Sequence, residues 1–495
     1  MGIIIKQSLK GSIWSYMGLV VGYINVGIIM PNFFKAEQIG LIQLFAAIAL
    51  IFTNFSTLGF GNVINRLFPE FRNESKKHNG FLFLTVATGL TGFLLSLSAF
   101  FIFKPQIIEA NIEKSPLLVE YILLLVPLFF FKIFFNLTDI LNRVLYDAVT
   151  GTFWNDFVHK MLNLILIILF ASGVLDFRQF FYGYIISMCL PTFPLLYVIL
   201  KRKDINLKPN FSFLKKPLAR EMIIVAAFGL VNGLSGTLTN NIDKLLINKF
   251  LSLEQVGIFS ICALFATVIM IPSRAMVKIS TGIIAQAWKD NDKTKIQEIY
   301  SKASLTQTII GSLIFAGIMV NLNNIFAILP EVYSQGKWVL IIYSIGILIR
   351  VSSSTSGSII LTSKYYKILS LFIVIQIFIT LGLHYTFIPK MGITGAAIAV
   401  LLTYLIRTFS VVGYIKIKMK MFCYSYKHIL VLIIASVSIA AAYFITETGV
   451  LIADILIKST TVSVVFIVLV LSLKISNDIQ QIFLKVVKIA SDLLK

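Results

Sequence analysis

Charged residues are scarce in this chain, because Asp, Glu, Lys and Arg together make up only 13% of its 495 residues. Soluble domains carry roughly 25%. Apolar residues reach 58%, and the mean hydropathy is +0.90. This balance excludes a soluble enzyme and a disordered protein, and the long apolar runs differ from the alternating segments of a transmembrane barrel. The composition therefore predicts an all-helical integral membrane protein.

Cysteine is also rare, and groupings of catalytic residues are absent from the sequence. Cys189, Cys262 and Cys423 form neither a CxxC pair nor a Cys/His metal spacing, so we interpret them as packing residues. The sequence has no GxxxxGKS/T phosphate loop, and no Ser/His/Asp or paired-carboxylate arrangement lies within one apolar span. We therefore expect a protein that is not an enzyme and that holds no metal or cofactor.

Fourteen apolar windows are long enough to cross the ~30 Å hydrocarbon core of a bilayer. They lie at about 12–31, 39–58, 81–103, 117–138, 157–175, 180–200, 222–242, 255–277, 305–329, 338–360, 366–386, 392–413, 428–446 and 452–473. The net charge of +21 is distributed unevenly around them. Roughly three-quarters of Lys and Arg fall on one side, which the positive-inside rule assigns to the cytoplasm together with both termini. This distribution explains the basic balance without a nucleic-acid partner.

A basic segment divides the spans into two groups. Residues 201–221 carry seven Lys and Arg and follow the sixth span. We therefore predict an N-lobe of six spans at 1–200, a cytoplasmic linker at 201–221, a C-lobe of six spans at 222–415, and two further spans with a cytoplasmic tail at 416–495.

The two lobes show signs of an internal repeat. Residues 37–40 read Glu-Gln-Ile-Gly and residues 254–257 read Glu-Gln-Val-Gly, an offset of 217 at the same point of an even-numbered span. Parallel repeats with a substrate site between them are a known transporter architecture. The alternative is chance similarity between apolar segments.

Two segments resemble the polysaccharide transporter branch of the multidrug/oligosaccharidyl-lipid/polysaccharide exporter superfamily, which includes O-antigen flippases. The segment 243–259 is similar to the junction of its seventh and eighth helices, and 391–399 is similar to the start of its twelfth helix. The span count, the linker and the two extra C-terminal helices match as well. The resemblance implies movement of a polyprenyl-diphosphate-linked oligosaccharide across the bacterial inner membrane by alternating access.

Cations inside the spans are the first candidate site residues, since a charge at mid-bilayer costs at least ~2.5–3.5 kcal/mol. Lys132 in span four and Arg350 in span ten lie at corresponding positions of the repeat, and two cations facing one cavity would suit a diphosphate. Arg407 in span twelve and Arg274 in span eight are further candidates. Snorkelling to the membrane surface, or pairing of Lys132 with Asp139, is the alternative.

Uncharged and boundary residues form a second group of candidates. Asn25 and Asn232 could hydrogen-bond sugar hydroxyls, or could join helices. Asp243 and Lys244, at the outer end of span seven, could form a gate or coupling site, or a simple interfacial pair. The serine-rich run 352–358 suggests a water-facing wall, with a packed helix interface as the rival.

Three function classes remain open at this point. A flippase for lipid-linked oligosaccharides would have membrane lipids as its surroundings, and a polysaccharide polymerase and chain-length machinery as candidate partners. A cation-coupled multidrug exporter of the same fold would characteristically carry an acid in span one, which is absent here. A membrane oligosaccharide polymerase would usually have a large outer loop, and none is present. We further expect spans thirteen and fourteen to guide the polyprenyl tail, the alternative being that they only stabilise the fold or contact other proteins.

Overall fold

The computed structural model describes residues 2–445 and 447–481. Within them, thirteen helices are long and apolar enough to cross a membrane, and one of these is broken at Gly392, so we number fourteen. They are α1 (Leu9–Phe33), α2 (Ala36–Ser56), α3 (Lys77–Asn111), α4 (Pro116–Val144), α5 (Val149–Ala171), α6 (Phe177–Lys201), α7 (Lys216–Phe250), α8 (Leu253–Lys289), α9 (Lys293–Val320), α10 (Glu331–Leu361), α11 (366–391), α12 (393–419), α13 (Tyr426–Tyr443) and α14 (Leu451–Ser472). The predicted all-helical membrane class is confirmed.

The break at Gly392 separates α11 from α12 without a loop. The helix Tyr366–Met419 has 54 residues, about 80 Å at 1.5 Å per residue, which is far longer than one bilayer crossing. Gly392 adopts φ 59° and ψ −140°, a conformation open essentially to glycine alone. A side chain at Gly395 would meet the carbonyl oxygen of Phe387 at 2.1 Å, so the chain turns back on itself there.

The described chain forms two compact units, Met1–Ser260 and Ile261–Lys495. The lobe boundaries read from the sequence stay a prediction. Residues 482–495, which belong to the predicted cytoplasmic tail, lie outside the described residues.

The two copies of the repeated motif meet within the first unit. A Cβ atom on Gly40 would lie 1.8 Å from the carbonyl oxygen of Leu253, and one on Gly257 would lie 2.0 Å from that of Ala36. The backbones of α2 and α8 therefore touch at their N-terminal ends through reciprocal glycines. Only residues without a side chain permit so close an approach.

The segment after α6 packs against the rest of the first unit through polar and aromatic contacts. Arg202 donates to Asp204 at 2.7 Å, and Asp204 lies 3.2 Å from the Nε2 atom of His78. The Arg202 hydrogen bond is the main reason that the pKa of Asp204 falls to about 2, so this carboxylate is ionised at neutral pH. The rings of Phe71 and Phe213 pack 5.0 Å apart beside it.

Helices α13 and α14 pack against α9 in the second unit. Their buried side chains share one apolar cluster with Ile309 and Ala316 of α9. Polar contacts add to it, because His428 lies 3.0 Å from the hydroxyl of Ser304, and Asn321 donates to Ser459 at 2.9 Å. The last two spans are thus integrated into the core of this unit.

Candidate functional site

Three helices of the second unit each present one stripe of residues to a common cavity of about 360 Å³. The stripes follow the i, i+3/i+4, i+7 spacing of a helix face. They are Met270, Ser273, Arg274 and Val277 on α8, Arg350, Val351, Ser353, Ser354, Ser356 and Gly357 on α10, and Tyr404, Arg407, Thr408 and Val411 on α12. Among the described residues, the lining contains three arginines and no carboxylate, so the cavity is suited to an anion.

Tyr404 fixes the orientation of Arg350. The Nη1 atom of Arg350 donates to the Tyr404 hydroxyl at 2.9 Å, and the guanidinium carbon lies 5.0 Å from the ring centroid of the same tyrosine. Arg407 lies one helical turn after Tyr404 on α12, and it is close enough to Arg350 for the two positive charges to repel each other. Within the described residues, Arg407 has neither an ion pair nor a hydrogen bond. A bound anion would relieve this repulsion.

The serine-rich run has two faces. The α-helical geometry of α10 is interrupted at Ser353, and the serine there lies 3.1 Å from Thr408 on α12. Ser353, Ser354 and Ser356 line the cavity, and the buried Ser356 also lies 2.8 Å from the Tyr300 hydroxyl of α9. The run thus provides hydroxyl groups to the cavity and also packs against α9.

Lys132 lies in the first unit and is not among the residues that line this cavity. Its ammonium group lies 5.6 Å from the ring centroid of Phe135 and interacts electrostatically with Asp156 on α5. Asp139 forms an ion pair with Arg143 instead, and no carboxylate in the described part of the chain pairs with Lys132. That Lys132 and Arg350 act together on one substrate stays a prediction.

The two asparagines lie in contrasting surroundings in the first unit. Asn25 is buried, and its Nδ2 atom donates to the carbonyl oxygen of Lys160 at 2.9 Å, which joins α1 to α5. Asn232 on α7 is exposed, and no hydrogen bond connects it to any residue that the structure describes. Sugar binding by either side chain stays a prediction.

Asp243 and Lys244 lie near the end of α7, in the first unit. The Lys244 ammonium donates to Gln43 of α2 at 3.0 Å, and its backbone N–H donates to the Asp243 carboxylate at 2.8 Å. Asp243 is buried. These contacts connect α7 to α2, and a gating or coupling role for the pair stays a prediction.

Three polar cavity residues, Ser273, Tyr404 and Thr408, were not among the sequence candidates. Tyr404 and Thr408 are one helical turn apart on either side of Arg407, and helical periodicity around that arginine was the signal that could have found them. Across the described residues, no group of three or more His, Cys, Asp or Glu side chains could hold a metal ion.

Comparison with known families gives one match. The family described as "Polysaccharide biosynthesis protein" matches residues 8–284, which is more than half of the chain. No curated protein sequence matches significantly.

Solved structures of similar fold are transporters and flippases. The lipid II flippase MurJ, in an inward closed conformation, aligns with a TM-score of 0.73 and 15% identity over 94% of this chain and 99% of its own. An inward-facing multidrug resistance MATE family transporter of the MOP superfamily aligns with a TM-score of 0.63 and 13% identity, over 86% of this chain and 95% of its own. A Vibrio cholerae MATE transporter aligns with a TM-score of 0.51 and 12% identity, over 83% of this chain and 94% of its own. At these identities, the likeness establishes the fold.

Proposed function

The chain belongs to the polysaccharide biosynthesis protein family, and we propose that it flips polyprenyl-diphosphate-linked oligosaccharides from the inner to the outer leaflet of the bacterial inner membrane. The observation that carries the proposal is the cavity lined by Arg274, Arg350 and Arg407 without a carboxylate. A diphosphate is the anionic part of such a substrate, and arginine can bind phosphate oxygens through two parallel hydrogen bonds.

In this proposal, the three arginines hold the diphosphate while the protein alternates between inward-open and outward-open states. Tyr404 keeps the Arg350 guanidinium facing the cavity, so less side-chain freedom is lost on binding. The hydroxyls of Ser353, Ser354 and Thr408 provide hydrogen bonds for sugar hydroxyls. The repeated lobes provide two halves that can rock around a fixed site.

The second candidate is a cation-coupled multidrug exporter, favoured by the fold shared with MATE transporters. Cationic drugs require acidic or aromatic surroundings. The cavity of the second unit supplies positive charge instead. An anionic substrate therefore agrees better with this site.

The membrane orientation and the partners that we propose follow from the same substrate. Both termini lie in the cytoplasm, where the lipid-linked unit is assembled, and the product is delivered to a polysaccharide polymerase and chain-length machinery outside. The positive-inside distribution of Lys and Arg supports this orientation.

A gene deletion in the host bacterium tests the proposal. Loss of the protein should abolish surface polysaccharide and leave the lipid-linked unit at the inner leaflet, and a plasmid copy should restore both. Unchanged polysaccharide together with increased sensitivity to cationic drugs would instead identify the exporter.

A further inference from the structure

A narrow groove runs between α11 and α12 in the second unit. Its walls are apolar side chains from the two antiparallel helices, Phe372, Ile375 and Ile379 on α11 and Ile406 and Val411 on α12. At its mouth, Ile375 and Ile406 are 43% and 38% exposed. The groove therefore opens on an apolar outer surface, of the kind that hydrocarbon chains cover in a membrane.

This groove adjoins the arginine cavity. Arg407 and Val411 line both of them, so α12 forms a common wall. Since Arg407 makes no ion pair or hydrogen bond within the described residues, its guanidinium can serve a ligand that extends from one space into the other.

Three further polar residues line the same groove, Gln376, Thr403 and Ser410, and Gln376 is the one with a buried amide nitrogen that has no partner in the described part of the chain. Gln376 of α11 is only 6% exposed, and no residue in the described ranges accepts a hydrogen bond from its Nε2 atom. Buried amide donors are almost always satisfied, so an unpaired one indicates a missing acceptor. The groove thus combines mostly apolar walls with one cation, two hydroxyl groups and one buried amide donor without an acceptor, and none of the described residues that line it is acidic.

We propose that this groove binds the first isoprene units of the lipid-linked substrate, with the lipid-proximal phosphate held between Gln376 and Arg407. The inference rests on the proposed function. The sugar and the distal phosphate occupy the cavity, while the isoprenoid stays in apolar surroundings. In this proposal the first isoprene units lie between α11 and α12, and guidance of the rest of the tail by α13 and α14 stays a prediction.

The groove must widen when the chain enters, because it encloses only about 20 Å³ in this structure. Gly392 connects its two walls and has a backbone conformation, φ 59°, that leaves the turn free of side-chain constraint. Rotation about this residue would separate α11 from α12 without disturbing the α8 and α10 walls of the cavity.

Photo-crosslinking in the purified full-length protein tests the site. Ile375 and Ile406 are replaced singly by photoreactive benzoylphenylalanine, with Phe409 on α12 and Leu432 on α13 as controls, since both are exposed and lie outside the groove. The probe is radiolabelled undecaprenyl diphosphate. We expect several-fold more labelling at the groove positions, removed by unlabelled undecaprenyl diphosphate but not by phosphatidylglycerol. Equal labelling at the controls, or equal competition by phosphatidylglycerol, would overturn the inference.

Gln376 provides an independent arm of the same experiment. Gln376→Leu should lower labelling from position 406 roughly tenfold by removing a donor to a charged acceptor. Gln376→Glu should lower it further by repulsion, whereas Gln286→Leu, at an exposed position of α8, should change nothing. Unchanged labelling in a monodisperse Gln376→Leu protein would overturn the phosphate contact.

The outcomes separate this inference from the transport proposal. If the protein flips lipid-linked sugar but positions 375 and 406 stay unlabelled, the groove inference fails and the flippase proposal stands. If the groove is labelled but nothing is flipped, the lipid site is upheld and the transport proposal fails.

Discussion

Arginines are costly residues inside a membrane, and this protein keeps Arg350 and Arg407 beside each other. Each costs at least ~2.5–3.5 kcal/mol to insert at mid-bilayer, and their like charges add repulsion. The hydrogen bond from Arg350 to Tyr404 offsets only part of this. Binding of a polyanion, as we propose, would relieve this repulsion.

Substituting Arg350 tests whether that charge serves the substrate. Arg350→Ala should reduce surface polysaccharide at least tenfold while the protein remains inserted and abundant, because charge-assisted hydrogen bonds to phosphate are lost. Arg350→Lys should restore only part of the surface polysaccharide, because the positive charge returns without the bidentate geometry. Surface polysaccharide and immunoblots are the measurements, with Arg178→Ala at an exposed position as control. Normal polysaccharide in Arg350→Ala would contradict the role.

The cavity cations could be found from sequence because charge stands out in an apolar span. Arg274, Arg350 and Arg407 were all identified in this way, and all three line one cavity. Tyr404 and Gln376 were missed because neutral polar residues are ordinary in membrane helices and acquire meaning only through their neighbours. For Lys132, the repeat offset predicts its position along the chain but not the residues that surround it.

At the scale of helices, the reciprocal glycine contact between α2 and α8 is one of the most restrictive features. Gly40 and Gly257 each sit against backbone of the other helix, at a distance that no side chain allows. Their sequence motifs were recognised as repeats, but a repeat does not reveal that its copies touch. The Gly392 break was likewise predicted only as a boundary between two spans.

Alanine at either glycine should prevent this contact. Gly40→Ala and Gly257→Ala would place a Cβ atom about 2 Å from a carbonyl oxygen, so the helices must separate. We expect severalfold lower surface polysaccharide and a lower unfolding temperature in detergent. Gly236→Ala on α7, which has open space around it, should resemble the wild type. If Gly40→Ala and Gly257→Ala behave like that control, the contact contributes neither to stability nor to transport.

For the molecule as a whole, the charge distribution determines how the chain is threaded through the membrane. Span number and approximate position were readable from hydropathy because each helix must satisfy its backbone polar groups internally. Helix ends were less predictable. α3, for example, continues to Asn111 through Pro105, well beyond the predicted end of span three.

Reporter fusions test this membrane topology. Fusions after Leu200 and after Lys495 should both report a cytoplasmic location, and a fusion at Lys114, between α3 and α4, should report the outside. Paired reporters that are active on opposite sides of the membrane provide the control at each site. An external signal after Lys495 would contradict the fourteen-span topology.

Flipping by the purified protein in liposomes tests the central claim most directly. A fluorescent undecaprenyl-diphosphate-linked oligosaccharide is placed in both leaflets, and dithionite, which does not cross the membrane, reduces only the outer pool. With the wild-type protein nearly all the fluorescence should become reducible, whereas vesicles with Arg350→Ala should retain the inner pool, as empty vesicles do. An inner pool that stays protected in wild-type vesicles, while those vesicles transport a cationic dye, would contradict the account.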